Sequence, residues 1–165
     1  RVLDELGVPI RILGAEPLTE MHGDVRLSLL HPQPPGGRSF YPHLEANDNS
    51  LVLKVIYRDF SLLLTGDVEA AAEKMLVERR FGSLKSTVLK VPHHGSSTSS
   101  SESFLRAVGP TLAVAQCADR GRFAFPKPEV EARYRRLGIP LWITGRHGAL
   151  QISTDGGRFI RRDWF

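Results

Sequence analysis

The sequence predicts a single α+β domain built on a mixed sheet with helices on one face. Three observations predict it. Short apolar segments alternate or run unbroken at residues 25–30, 51–57, 60–64, 87–91 and 111–116, as strands do. Between the later segments the spacing switches to the 3.6-residue period of amphipathic helices. The chain then closes on turn-bounded pairs that read as hairpins. Strands alternating with helices and ending in hairpins imply this architecture. With 165 residues, 41% apolar and 24% charged, the chain has enough material for one core and an ordinary soluble composition.

Each element follows in order. Residues 1–7 read as a helix already under way, and with Arg1 at the start the chain is expected to be cut from a longer protein. Residues 25–30 alternate as a half-buried strand, and 31–37, with Pro32, Pro34, Pro35, Gly36 and Gly37, form an irregular loop. Residues 51–57 and 60–64 pair as a hairpin across Arg58 and Asp59. Residues 68–81 form a helix with Val68, Ala71, Ala72, Met75 and Leu76 on one face, charges on the other and Gly82 just beyond. Residues 87–91 are a strand ending at Pro92. The loop 95–101 is almost all Ser and Thr, and Ser99 is expected to cap the next helix with Glu102 reaching back to it. Phe104, Leu105 and Val108 form that helix's buried side. Residues 111–116 are a buried strand. Pro128 and Gly138 bracket a helix with Val130, Tyr134 and Leu137 inward. Strands at 141–144, 149–153 and 159–162 end the chain, the last two joined by Asp155-Gly156-Gly157.

Lys and Arg number 22 against 18 Asp and Glu, a net charge of +4 that suits an anionic partner such as nucleic acid and equally a bland soluble domain. Arg133, Arg135, Arg136, Arg146, Arg158, Arg161 and Arg162 cluster toward the end, where a solvated helix face is the commoner reading. The single Cys117 excludes an internal disulfide. No apolar run approaches the length needed to cross a membrane.

Two strand ends carry chemistry. In Leu64-Thr65-Gly66-Asp67, glycine lets the backbone turn sharply so that a carboxylate projects from the sheet. Read alone, Asp67 serves equally as the cap of the helix that follows. In Val91-Pro92-His93-His94-Gly95-Ser96, two imidazoles stand at the end of an apolar strand, and neutral imidazole is a common ligand of zinc and similar metals. Adjacent histidines point different ways, so one would bind metal while the other serves substrate or orients a ligand.

These segments, ordered after Asn47-Asp48-Asn49-Ser50 and before Phe125-Pro126-Lys127-Pro128 and Thr144-Gly145-Arg146-His147-Gly148, resemble the metallo-β-lactamase-like domain at the carboxyl end of the ComEC/Rec2 family of DNA-uptake proteins. The likeness runs from Asn47 to the end of the chain. It implies the carboxyl-terminal half of an αββα sandwich, a single partial domain over 1–165 whose metal-motif half is missing. It implies that Asp67 bridges two divalent ions, zinc or manganese, and that His93 or His94 binds the second, with His94 favoured. Asn47 and Ser50 would shape the loop beneath the site. Lys90 matches a position usually basic, and Ser96 and Ser97 in the serine loop would meet a phosphate. The family often has His where Phe125 stands, and Asp where Gly145 stands, so no role is carried to Phe125 and His147 reads as surface.

The same family supplies its first ligands from a His-x-His-x-Asp-His motif, and none of the six histidines here has that spacing. A catalytic metal site needs at least three protein ligands. The fragment is therefore expected to lack a complete site and to hold no metal by itself. The resemblance implies a nuclease acting on single-stranded DNA during competence, in a protein of the inner membrane with this domain on its outer, periplasmic side. The alternatives are a non-catalytic DNA-binding module using the basic tail, and a small-molecule metallohydrolase. A sheet face left bare by the missing half would favour self-association.

Overall fold

The alternation of apolar residues along the early strands becomes a seven-stranded sheet in the computed structural model, which describes residues 19–36, 38, 40–118 and 124–164. The strands are β1 (Thr19–His22), β2 (Val25–His31), β3 (Val52–Tyr57), β4 (Phe60–Leu64), β5 (Val88–Lys90), β6 (Leu112–Ala115) and β7 (Leu141–Ile143), in that spatial order. β1 to β4 form an antiparallel meander, whereas β4 to β7 run parallel. Each parallel step is bridged by a helix: α1 (Ala70–Leu84), α2 (Glu102–Val108) and α3 (Pro128–Arg136). Crossovers between parallel strands share one hand, and here every step moves in the same direction across the sheet. All three helices must then cover the same face. One core cluster accordingly joins Leu63, Leu89, Val91, Ala113, Ala115 and Ile143 of the sheet side to Leu76, Phe104, Leu105, Val130 and Tyr134 of the helices.

The opposite face is not bare over the parallel strands, contrary to the expectation for half a sandwich. A one-turn helix α4 (Thr144–His147) leads into the hairpin β8 (Ala149–Thr154) and β9 (Phe159–Trp164). Leu150, Ile152 and Phe159 of that hairpin pack on Val88, Leu112 and Trp142, with the Arg161 guanidinium 4.8 Å from the Trp142 ring.

Several boundaries differ from the sequence reading. β1 is additional: Gly23 and Asp24 are the two-residue turn of a β1–β2 hairpin, with His22 paired to Val25 and Gly23 at φ +60°. α1 starts two residues late and continues past Gly82 to Leu84, because Leu84 is wholly buried and draws the last turn inward. α2 is capped at Ser101 rather than Ser99. The Ser99 hydroxyl instead donates to the carbonyls of Pro92 (2.9 Å) and Ser96 (3.0 Å), and Glu102 pairs with Arg106 and Arg136. The predicted helix at residues 1–7 lies outside the described residues.

The carboxylate that serves the start of α2 comes from another helix. Glu73 of α1 is fully buried and accepts from the backbone amides of Ser100 (2.5 Å) and Ser101 (2.7 Å). Arg133 of α3 donates to the carbonyls of Ser99 (2.9 Å) and Ser100 (2.6 Å), and the Ser100 and Tyr134 hydroxyls lie 3.2 Å apart. The serine loop is thus pinned between α1 and α3. Burial, the largest cause, raises the Glu73 carboxyl above its ordinary 4.5, against the opposing amide bonds.

Glu73→Ala leaves two buried amides unpaired and is expected to destabilise the fold by about 2–4 kcal/mol in urea unfolding. A raised carboxyl means that the folded state holds the proton more tightly than the unfolded chain. Its contribution therefore weakens as pH rises from 4.5 through the raised value. Glu73→Gln should remove that pH dependence, and a slope unchanged in the variant would refute the assignment.

Candidate active site at the sheet edge

The chain leaves β4 through Thr65, which is buried and whose hydroxyl donates to the Lys90 carbonyl (2.9 Å) at the end of β5. Gly66 then turns at φ +55°, and a Cβ there would stand 2.6 Å from the Ser50 Cβ. Only glycine allows both that backbone angle and that approach. The turn delivers Asp67 to the sheet edge, where its amide donates to the Ser50 hydroxyl (3.1 Å). The Lys90 ammonium donates to the Gly66 carbonyl (2.7 Å) and lies 3.4 Å from Asp67 Oδ1. With 14% of its side chain exposed, Lys90 is held under the turn. Burial lowers its pKa, and the neighbouring Asp67 charge partly opposes that shift.

Asp67 does not cap the helix that follows it. Asp48, buried in the short 3-10 turn Asn47–Asn49, accepts from the α1 amides of Glu69 (2.8 Å) and Ala72 (3.1 Å) through Oδ1. Asp48 is the cap, and Asp67 is left to face outward. The neighbouring residues divide the rest of the work. Asn49 fixes the preceding loop through Tyr41, Leu44 and Glu45, and Asn47 donates to Glu69 Oε1 (3.2 Å).

At the end of β5 the chain enters a 3-10 turn, Pro92–Gly95, with three consecutive left-handed residues: His93 at φ +42°, His94 at φ +55° and Gly95 at φ +89°. Left-handed backbone at the two histidines stores on the order of 1–3 kcal/mol each. The surroundings impose it. The His93 amide donates to the Gly66 carbonyl (3.3 Å), and the Ser96 amide closes on the His93 carbonyl (2.9 Å). Gly95 lies so close to Pro126 that a Cβ would come within 2.5 Å, while the Lys127 amide donates to its carbonyl (2.9 Å).

The two imidazoles diverge, their ring centroids 6.5 Å apart. His94 Nδ1 is 2.6 Å from the Gln116 carbonyl, just past β6. A carbonyl can only accept, so Nδ1 carries the proton and Nε2 holds the lone pair of the neutral ring. That Nε2 stands 3.6 Å from Asp67 Oδ1, with both side chains about two-fifths exposed. His93 turns the other way, its Nδ1 2.9 Å from Glu69 Oε1. This approach is short but off the hydrogen-bond direction, leaving the buried Nδ1 without a well-formed bond. Phe125 lies alongside, its ring centroid 6.1 Å from that of His93.

The structure therefore brings Asp67, His94, His93, Lys90, Ser50 and Asn47 together. In the serine loop Ser96 is buried with its hydroxyl 3.0 Å from that of Thr98, while Ser97 and Thr98 are exposed. His147 stands apart, accepting from the Ile143 amide (2.9 Å) and packing on Trp142. The basic tail is largely committed: Arg133 to loop carbonyls, Arg136 to Glu102, Arg146 to Glu131 and Arg161 to Trp142 and Asp163. Sequence reasoning missed Asp48, Glu69, Glu73 and Gln116. Asp48 had a signal in its Asn-Asp-Asn setting, but a backbone carbonyl such as Gln116 leaves none. Among the described residues no group of three or more metal-ligating side chains occurs. Asp67 and His94 suit a divalent cation in kind, one anionic oxygen and one neutral nitrogen, and fall short in number.

No protein-family model matches the chain. It is 41% identical over 115 residues, 70% of the chain, to competence protein ComA of Neisseria gonorrhoeae. It is 31% identical over 128 residues, 78% of the chain, to ComE operon protein 3 of Bacillus subtilis. Over 107 residues, 65% of the chain, it is 36% identical to recombination protein 2 of Haemophilus influenzae. The matches cover 17%, 16% and 13% of those three proteins, so the chain spans about a sixth of their length.

The two carboxylates should behave oppositely on substitution. Asp48→Ala removes a buried cap and should lower stability by about 1–2 kcal/mol, whereas Asp67→Asn should change it by less than about 0.5 kcal/mol. Equal losses in denaturant unfolding would return Asp67 to a structural role.

Proposed function

This chain belongs to the ComEC/Rec2 family of competence proteins, matching one region of it, and we propose that it supplies half of a metal-dependent site that hydrolyses DNA during uptake. The observation that carries this reading is the facing pair at adjacent strand ends. Asp67 Oδ1 and the lone-pair nitrogen of His94 stand 3.6 Å apart, with the His94 tautomer set by Gln116. A ring nitrogen oriented by a carbonyl on its far side is the arrangement in which histidine serves as a metal ligand. The remaining ligands would come from a segment of the longer protein outside this chain, so the chain alone is expected to be inactive.

Each residue has a part in that site. Asp67 and His94 would hold the cations, two per complete site, as zinc or manganese. Bound divalent ions would acidify a water and offset the charge of a phosphodiester. Lys90, fixed beneath the Gly66 turn, keeps the Asp67 carboxylate at the edge and adds positive charge beside it. His93 is free of the His94 role and faces Glu69, where it would orient substrate or a bound water. Ser97 and Thr98 offer exposed hydroxyls on the neighbouring loop, with the buried Ser96 bracing them. The substrate would be a single DNA strand, met on the outer side of the inner membrane. No helix among the described residues is long and apolar enough to cross a membrane. A purely DNA-holding role for the basic tail has less support, because most of its arginines are already paired.

The test is cleavage of single-stranded DNA with Mn²⁺ or Zn²⁺ by the longer protein. Asp67→Ala and His94→Ala should each lower the rate at least about 100-fold, a chelator should abolish it, and the isolated chain should show none. Cleavage that survives Asp67→Ala would sink the assignment.

A further inference from the structure

β2 and β4 both pair antiparallel with β3, so they run in the same direction, and the last residue of β2, His31, opens at the sheet end that carries Asp67. Against α1 at that end lies a cavity of about 100 Å³, lined among others by His31, Gln33, Tyr41, Arg79 and Arg80 over Leu76. A water occupies roughly 10–15 Å³ of such space, so the cavity takes a group of several heavy atoms.

Among the described residues neither of its arginines meets a carboxylate. Arg79 donates to the Tyr41 hydroxyl (3.1 Å) and lies 5.7 Å from its ring centroid, and Arg80 donates to Gln33 Oε1. Both partners are neutral. Arg106, Arg136 and Arg146, by contrast, each meet a glutamate. The nearest acid along the helix, Glu78, pairs back to Lys74. Burial, more than any other cause, lowers the His31 pKa; the neighbouring Asp48 opposes that shift and Arg79 adds to it.

Two adjacent arginines on a helix are ordinarily a solvated face. Successive residues of a regular helix point about 100° apart and do not share a cavity. Here they do, because Arg80 leaves helical geometry, at φ −133° and ψ 16°. Tyr41, 5% exposed, is in turn held by Asn49, which fixes the far wall. The result is a preformed concavity with two forked guanidiniums and no acid, a geometry matched to tetrahedral oxyanions.

We propose that this cavity is a phosphate-binding pocket in which Arg79 and Arg80 hold a backbone phosphate of the bound nucleic-acid strand. The strand as the source of the phosphate rests on the function proposed above; the preference for phosphate does not. The pocket would anchor the strand at the end of β2, with β3 between it and the strand that carries Asp67.

The experiment uses the longer protein with two probes, inorganic phosphate by calorimetry and a single-stranded thymidine oligonucleotide across a salt series. In the Arg79→Ala/Arg80→Ala variant phosphate affinity should fall at least about tenfold. The slope of log K against log salt should shrink by roughly 0.7, from the one lost phosphate contact. Arg79→Lys/Arg80→Lys keeps the charge and covers the case in which the alanine pair fails to fold: it should keep the slope and lose affinity about fivefold or more. Phosphate affinity and slope equal to wild type in both variants overturn the pocket, as does a wild type that binds neither probe. Phosphate binding lost on substitution, in a protein that never binds the strand, upholds the pocket and overturns the DNA reading instead.

Discussion

The handedness of the three crossovers governs the rest of the molecule. Because β4, β5, β6 and β7 follow one another across the sheet, same-handed connections put α1, α2 and α3 on one face and line up the carboxyl ends of the strands at one edge. Asp67 follows β4, His94 follows β5 and Gln116 follows β6. Three consecutive strand ends thus supply the carboxylate, the imidazole and the carbonyl that orients the imidazole. In open sheets of this kind the carboxyl edge is where ligands bind, since loops there can vary while the strands stay fixed.

That edge is held in place by the residues beneath and beside Asp67. Asp48 takes the first amides of α1 and so frees Asp67, and Ser50 receives the Asp67 amide. Lys90 and Thr65 stitch the ends of β4 and β5 together through one carbonyl each. The left-handed histidines are the strained part, and what holds them is close packing: Gly95 against Pro126 and the His93 amide on Gly66. Behind the edge, the buried Glu73 fixes the serine loop from the helix layer.

Much of this was legible in the sequence where a period or a turn carries the signal. The β3–β4 and β8–β9 hairpins and the α3 helix between Pro128 and Gly138 lie close to where apolar spacing puts them. The sequence also marked Asp67 and His93-His94 through a glycine or a proline at a strand end. What it could not mark are contacts between distant segments. Glu73 counts as one charge on an outward helix face until Ser100 and Ser101 are folded against it. Ser99 and Glu102 match the spacing of a capping box, yet the Pro92 carbonyl and Arg106 claim them first. The basic tail read as a solvated face more readily than as an anion-binding run, and Glu102 and Glu131 absorb part of its charge. A one-dimensional pattern registers which groups are present, whereas pairing decides which remain available.

The same logic explains how the edge that carries Asp67 and His94 is held within a folded unit. Asp67 and His94 are each about two-fifths exposed, so neither loses its hydration, and Lys90 already balances the carboxylate. Among the described residues no second carboxylate is paired against Asp67. The conformational work, left-handed backbone at two histidines and one fixed tautomer, is met by packing and hydrogen bonds within the chain. Ligands arriving from another segment would then find two donors already oriented, and the ordering of those donors would not be charged against metal affinity. In the proposed site, preorganisation at the strand ends, more than the identity of any single ligand, would be this region's contribution.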